Sequence, residues 1–480
     1  SKFARIALQT NDIDFRARPH SVEEAEFLAS TVVATGLSDD AAGGSVTYAD
    51  IEAATTVLLV GFEPEDESPI VFLRLRKAVR KNRTAVFAVA PLASRGLAKL
   101  GGTLISAAPG TEAEVLHALA DGKVLGKPGT GVVAAVAAAS AGLAADGAVI
   151  LVGERLATVP GGLSGAAALA SSTGARLAWI PRRAGERGAL ESGALPNLLP
   201  GGRPVTESRA RAEVGAAWDV VGLPDKVGRD TSAIIAAAGA GELGGLLVGG
   251  VDPADLVGSG DLLDALTRSF VVSLEIRESA VTDVADVVLP VAAHQEKAGT
   301  FVDWEGRVRS FEAALTTHAM SDHRVLDLLA AEMDQSLGVR TLEAARADMR
   351  ALGRWTGRRA AVPAVEAVEV QSLDAGQAVL ATWHHLLDSG RLQDGEPFLA
   401  GTAPKVRALL SATTAAAVGL AEGDSVCVGV GTGAITVPLT IANMADHVIW
   451  LPTNSPGSAV RQALGVDAGA VVSLTKGGAA

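Results

Sequence analysis

The stretch Glu278–Phe311, ESAVTDVADVVLPVAAHQEKAGTFVDWEGRVRSF, is the most organised part of this 480-residue chain. ADVVLP (Ala285–Pro290), closed by proline, reads as a strand of an α/β series. Asp283 and Asp286 stand at its start and suit a turn, since short carboxylates hydrogen-bond neighbouring backbone. His294 and Glu296 lie just past the strand end, where open α/β sheets place ligands. A hydrogen-bonded loop histidine is the plainer reading of His294. The charged turn Glu305-Gly306-Arg307 follows.

On the N-terminal side the pattern is also α/β. TVLLVGF (Thr56–Phe62) and AVFAVAP (Ala85–Pro91) read as buried strands, with PIVFLRLRKAVRKN between them at helical spacing. This is the βαβ unit of a parallel sheet. Thr111 and Glu114 are spaced as a capping box for the helix EAEVLHALA. A Gly- and Ala-rich connection from Gly122 to Gly142 leads into a helix. Further strands are expected at AVILVG (Ala148–Gly153), ARLAWI (Ala175–Ile180), LLVGG (Leu246–Gly250) and FVVSLEI (Phe270–Ile276). Residues Arg182 to Arg203 lack any period and read as a long, ordered surface loop on which something packs.

Beyond Phe311 a helical pattern runs from His323 to Gly353, then a connector. The C-terminal part turns to β. VCVGVGTGAITVPLTI (Val426–Ile441) is hairpin-like about Gly431–Gly433, and HVIWLP and AVVSLT add strands of a small barrel. The domains expected are 1–125 and 126–345, both α/β, a connector at 346–395, and a barrel at 396–480.

Composition narrows the chemistry. The net charge is −13, which repels a phosphate backbone and makes nucleic acid a poor partner. The basic stretch Arg74–Arg83 reads as the solvated face of a helix. One cysteine, Cys427, excludes an intramolecular disulfide, a zinc site of the Cys₄ or Cys₂His₂ type and an iron–sulfur cluster held by these residues alone. In SVCVGVG it reads as a buried small hydrophobe. The start, Ser1, shows no secretory signal. The apolar tract Val132–Ala145 is too short to span a bilayer.

Motifs that carry chemistry are few. GAGELG (Gly239–Gly244) matches the dinucleotide fingerprint in letters, but that mechanism needs a strand before and a helix after. Here SAIIAAA reads as helix and LLVGG as strand. His384–His385 reads as a surface pair on a helix, where side chains about 100° apart do not share a metal.

In order along Glu278–Phe311, ADVVLP, Glu296, Gly299–Phe301 and Glu305–Arg307 together resemble the matching stretch of the molybdopterin oxidoreductases. That family often has Asn and Gln where Asp303 and Arg309 stand. ADIEAATTVLLVGFEPEDESPI (Ala49–Ile70) is similar to its strand, Gly, x, x, Pro loop. AVFAVAP and GELGGLLVGGVDPADL (Gly241–Leu256) follow in the family's order, and the C-terminal domain resembles its pterin-dinucleotide-binding barrel. The resemblance implies an α/β fold of the formate dehydrogenase/DMSO reductase type: two parallel-sheet domains plus a barrel.

Catalytic members of the family hold the metal through a Cys, Ser or selenocysteine in a segment resembling Asn11–Ser21. Here Arg16, Pro19 and His20 stand there, and Ser21 suits a helix N-cap with Glu24. A fold of this type without the ligand resembles the molybdopterin-oxidoreductase-like part of the G subunit of bacterial NADH-quinone oxidoreductase (respiratory complex I). That resemblance implies a structural, non-catalytic role. It implies no cofactor or metal on these residues, with 2Fe–2S and 4Fe–4S clusters in an N-terminal segment absent here. His294, Glu296, Glu305 and Arg307 become candidates for a vestigial cofactor cleft. The implied partners are other peripheral-arm subunits, including the NADH-binding flavoprotein subunit, on the cytoplasmic side of the plasma membrane. The alternative is a catalytic, formate dehydrogenase-like molybdenum enzyme.

Overall fold

In the computed structural model, residues 1–15, 21–36, 46–122, 130–368 and 372–478 are described. They form two compact units, each built from separated stretches: Ser1–Gly43 with Arg183–Val362, and Gly44–Arg182 with Pro363–Ala480.

The second unit holds a five-stranded sheet. Its strands are β1 (Thr56–Val60), β2 (Ala85–Ala90), β3 (Thr103–Ser106), β4 (Val149–Gly153) and β5 (Arg176–Ile180). They pair in parallel in the order β3-β2-β1-β4-β5. Every residue of β1 and β4 is buried, as expected of continuous apolar runs covered on both faces. Helix Pro69–Asn82 fills the crossover from β1 to β2 with Val71, Phe72, Leu75 and Ala78 turned inward. Strands β4 and β5 complete the sheet begun by β1, so the boundary expected at residue 125 falls inside one sheet. The expected capping box at Thr111 is not formed. Its hydroxyl donates to Ala108 O instead, and the Glu112 carboxylate accepts from Gly110 N.

The first unit has a three-stranded parallel sheet of β6 (Gly245–Gly249), β7 (Phe270–Glu275) and β8 (Val287–Pro290), in the order β8-β7-β6. An antiparallel hairpin follows, β9 (Gly299–Val302) with β10 (Val308–Phe311). The expected surface loop at 182–203 is corrected here. From 183 on it contains helix Glu186–Glu191 and a buried turn with Leu195, Leu198 and Leu199. Arg5, fully buried, donates to the carbonyls of Gly193, Leu195 and Leu198. A stretch rich in Gly and Arg is kept inside because long-range guanidinium bonds satisfy its backbone.

The barrel belongs to the second unit. Its strands are β11 (Gln377–Trp383), β12 (Ala408–Leu410), β13 (Ser425–Val430), β14 (Gly433–Ile441), β15 (Val448–Pro452) and β16 (Val471–Lys476). They close in the order β11-β15-β12-β14-β13-β16. Strand β11 lies within the expected connector at 346–395, so the barrel draws on residues before 396. Val426 and Val428 point into the barrel core, while Cys427 between them is only half-buried, contrary to its expected burial. The period of two along a strand accounts for this.

Candidate functional site

The order β3-β2-β1-β4-β5 reverses direction between β1 and β4, and that reversal is where doubly wound sheets bind ligands. In this chain the two strand ends press together. A Cβ on Gly153 would sit 2.3 Å from Gly61 O, and one on Gly61 would sit 2.8 Å from Leu156 N. Gly61 also has φ +57°, a conformation that L side chains rarely adopt. Both glycines are therefore required by the close approach.

Side chains fill what lies beyond. After Gly61, Pro64 starts the one-turn helix Pro64–Glu67, and Glu67 accepts from Glu63 N at 2.6 Å. From the turn after β4, Arg155 donates to both Glu67 oxygens, at 3.0 and 3.1 Å. Its guanidinium lies 5.0 Å from the centre of the Trp383 ring. Trp383, the last residue of β11, donates its indole N–H to Asp66 at 3.2 Å. Trp450 packs against Trp383 with ring centres 4.9 Å apart, and His385 meets Trp450 edge-on.

The electrostatics follow from four carboxylates, Glu63, Asp66, Glu67 and Glu112, sharing this region with Arg155. Burial raises Glu63 to about 7, against its hydrogen bonds from Ser94 and Glu65 N. Burial likewise raises Glu112 to about 7. Burial alone would lower Arg155, and the neighbouring Glu67, Glu63 and Glu112 more than offset that. The expected helical surface pair His384–His385 is corrected: His384 directly follows β11, is buried, and bonds Asp388 through Nδ1 at 2.5 Å. Burial would raise Asp388, but the bond from His384 holds it low.

The first unit places the residues singled out around ADVVLP. Glu296 accepts from Ala293 N at 2.9 Å, closing the turn His294–Glu296, and His294 is exposed. Glu305 is buried and accepts from Arg307 Nε at 2.5 Å. The hairpin tip is tied by Asp303, whose carboxylate accepts from Arg307 N. Gly306 has φ +86°, and a Cβ there would meet Thr35 O at 2.6 Å. Arg187, buried on the helix Glu186–Glu191, pairs with Glu191 at 2.8 Å and donates to Thr35 O and Trp304 O. Glu191 also accepts from Ala34 N with both oxygens, 2.9 and 3.1 Å. Burial raises its pKa although Arg187 opposes this.

Glu305 and Arg307 are thus brought together, beside an Arg187–Glu191 pair from the stretch expected to be a surface loop. No hydrogen bond or ion pair joins them to His294 or Glu296 among the described residues. Sequence reasoning missed Glu63, Glu67, Glu112 and Arg155 as well. The available signal for Glu63, Glu67 and Arg155 was their place just after the two most apolar strands; Glu112, in the helix after β3, had none. Arg16, Pro19 and His20 lie outside the described residues, and the Ser21 hydroxyl accepts from Glu24 N at 3.2 Å as an N-cap. GAGELG runs from helix Thr231–Gly239 to β6, the reverse of a dinucleotide fingerprint.

The chain is 55% identical to the G subunit of NADH-quinone oxidoreductase from Mycobacterium bovis over 99% of its length, and 53% identical to its counterpart in Streptomyces coelicolor. It spans 57% of the length of each of these relatives. Among solved structures it is similar to acetylene hydratase from Pelobacter acetylenicus, with a TM-score of 0.57 at 12% identity, covering 90% of this chain and 74% of that one. That likeness concerns the fold. The sequence profile described as molybdopterin oxidoreductase matches residues 21–321. With more than half of its residues in that match, and with parallel α/β sheets and a closed barrel, the chain belongs to the molybdopterin oxidoreductase family.

Proposed function

We propose that this chain is the molybdopterin-oxidoreductase-like part of the G subunit of a bacterial NADH-quinone oxidoreductase, and that it serves there as a packing platform without redox chemistry of its own. The similarity to that subunit over nearly the whole chain supports the first half. The observation that carries the second half is the filled switch point, where Glu67 and Arg155 occupy each other.

The chemistry there does not fit an anionic pterin dinucleotide. A pyrophosphate wants free backbone N–H groups and cations. It would meet Glu63, Asp66, Glu67 and Glu112, with Arg155 already bonded to Glu67 through Nε and Nη2 and its guanidinium over the Trp383 ring. We derive no step through such a group. In this reading electrons pass through 2Fe–2S and 4Fe–4S clusters held outside these residues. The partners are the other peripheral-arm subunits, including the NADH-binding flavoprotein subunit, on the cytoplasmic side of the plasma membrane. No helix among the described residues is long and apolar enough to cross a membrane.

The test is affinity purification through this chain from cells that carry the whole assembly. The expected preparation oxidises NADH with a quinone acceptor and contains only traces of molybdenum and tungsten. Near-stoichiometric molybdenum or tungsten, together with formate-dependent dye reduction, would overturn the platform reading in favour of a formate dehydrogenase-like enzyme.

A further inference from the structure

Helix Pro69–Asn82 carries a second pattern besides the one that buries it. Val71, Phe72, Leu75 and Ala78 face the sheet. At about 100° per residue, Ile70, Leu73, Arg74, Lys77, Arg80 and Lys81 share the opposite side. Ile70 and Leu73 are 53% and 55% exposed, although both are large and apolar. A purely solvated face has no use for two such side chains at consecutive turns. Their exposure, next to cations, is the composition of a contact surface.

The charge is also lopsided. Arg74, Arg76, Lys77, Arg80, Lys81 and Arg83 put six cations into ten residues of a chain whose net charge is −13. Glu52 pairs with Arg74 and Lys77. Arg80, Lys81 and Arg83 have no ion pair among the described residues. Cations in the last turn suit the helix dipole, which accounts for Arg80 and Lys81 but not for the apolar pair about two and three turns earlier.

We propose that this outward face docks a protein partner whose surface is acidic around a small apolar depression. Ile70 and Leu73 enter the depression, and Arg80, Lys81 and Arg83 meet the carboxylates. Charge complementarity decides between partner classes. Two apolar side chains bury too little area to hold a helix in a lipid interface, whereas a protein–protein contact needs only a compact apolar centre with a charged rim.

The experiment places a photo-crosslinker at the apolar end, Leu73→p-benzoylphenylalanine, in the full chain in cells carrying the whole assembly. The expected product is a cross-link to one protein, with an excess of Asp and Glu around the linked peptide. Its yield should fall roughly tenfold in R80E/K81E, because like charges then face each other. High salt should lower it too. Both reversed residues are exposed, so the thermal melt of the variant should match the parent and exclude misfolding.

A cross-link confined to lipid, or no protein cross-link at all, overturns the proposal. So does a linked surface without acidic excess, or a yield indifferent to R80E/K81E. Binding of the parent chain to phosphatidylglycerol vesicles that R80E/K81E abolishes would overturn it in favour of a membrane surface. An acidic partner from outside the NADH-oxidising assembly would support this inference while defeating the proposed function, so the two fail separately.

Discussion

Arg155 grips both oxygens of Glu67, at 3.0 and 3.1 Å, although the two residues leave the sheet on different strands. Two parallel N–H···O bonds of this kind give a guanidinium a fixed plane, and that plane lies against the Trp383 ring. The pair thereby joins the loops after β1 and β4 to the end of β11. Within its own unit it links sheet to barrel.

Removing either partner leaves the other largely buried without its counter-charge. Glu67→Gln and Arg155→Met should each cost about 3 kcal/mol. We place them at the low end of the range for buried pairs because part of Arg155 still reaches solvent. The double variant should cost clearly less than the two together. Urea denaturation of all four proteins checks this; strictly additive losses would mean that the pair is not coupled.

Glu112 makes the pH dependence specific. Its folded-state pKa is about 7 because burial disfavours the charged form, against an ordinary value near 4.5. The stability gained by keeping the proton is complete below about pH 4.5 and is lost as pH rises through about 7. Glu112→Gln keeps an acceptor for Gly110 N and has no proton to lose. Its melting temperature should therefore fall less than the parent's between about pH 5 and about pH 8. Parallel pH profiles for the two proteins would contradict the burial argument.

In the other unit, Glu305→Ala strips Arg307 of its partner and should destabilise by roughly 1–3 kcal/mol. Assembled complex carrying it should keep near-normal NADH oxidation per cluster. Turnover reduced a hundredfold in stable, fully assembled complex would mean that the hairpin tip takes part in chemistry. Gly306→Ala should lower the melting temperature as well, since its Cβ would clash with Thr35 O.

Gly241 supplies a contrast. It has φ +75° but open space around it, so Gly241→Ala should cost about 1 kcal/mol from backbone strain alone. NADH affinity measured by titration should not change. A selective loss of nucleotide binding at unchanged thermal stability would restore GAGELG as a cofactor motif.

The legible parts of this fold are those whose signal is local. TVLLVGF and AVFAVAP could be read because a strand covered on both faces must be apolar throughout. TLIS at β3 was missed because an edge strand of four residues buries only Ile105. Strand β11 was missed because its partners, β15 and β16, lie far along the chain. The Arg-rich stretch before Arg203 misled for a related reason. Composition reports solvation, whereas Arg187 is buried by bonds to Thr35, Glu191 and Trp304. Of the site, the Glu305–Arg307 pairing was foreseeable from spacing. The switch-point ion pair was not, since it depends on which strands become neighbours.

The barrel's pairing also sets an order of events in synthesis. Strand β16 bonds both β11 and β13, so the earliest strand of the barrel waits for the latest. Until residue 476 has left the ribosome, β11 and β13 each present an unsatisfied edge to the cell, and unsatisfied edges recruit other chains. A nascent chain stalled before Val471 is therefore a natural client for chaperones, whereas the finished chain closes that edge on itself.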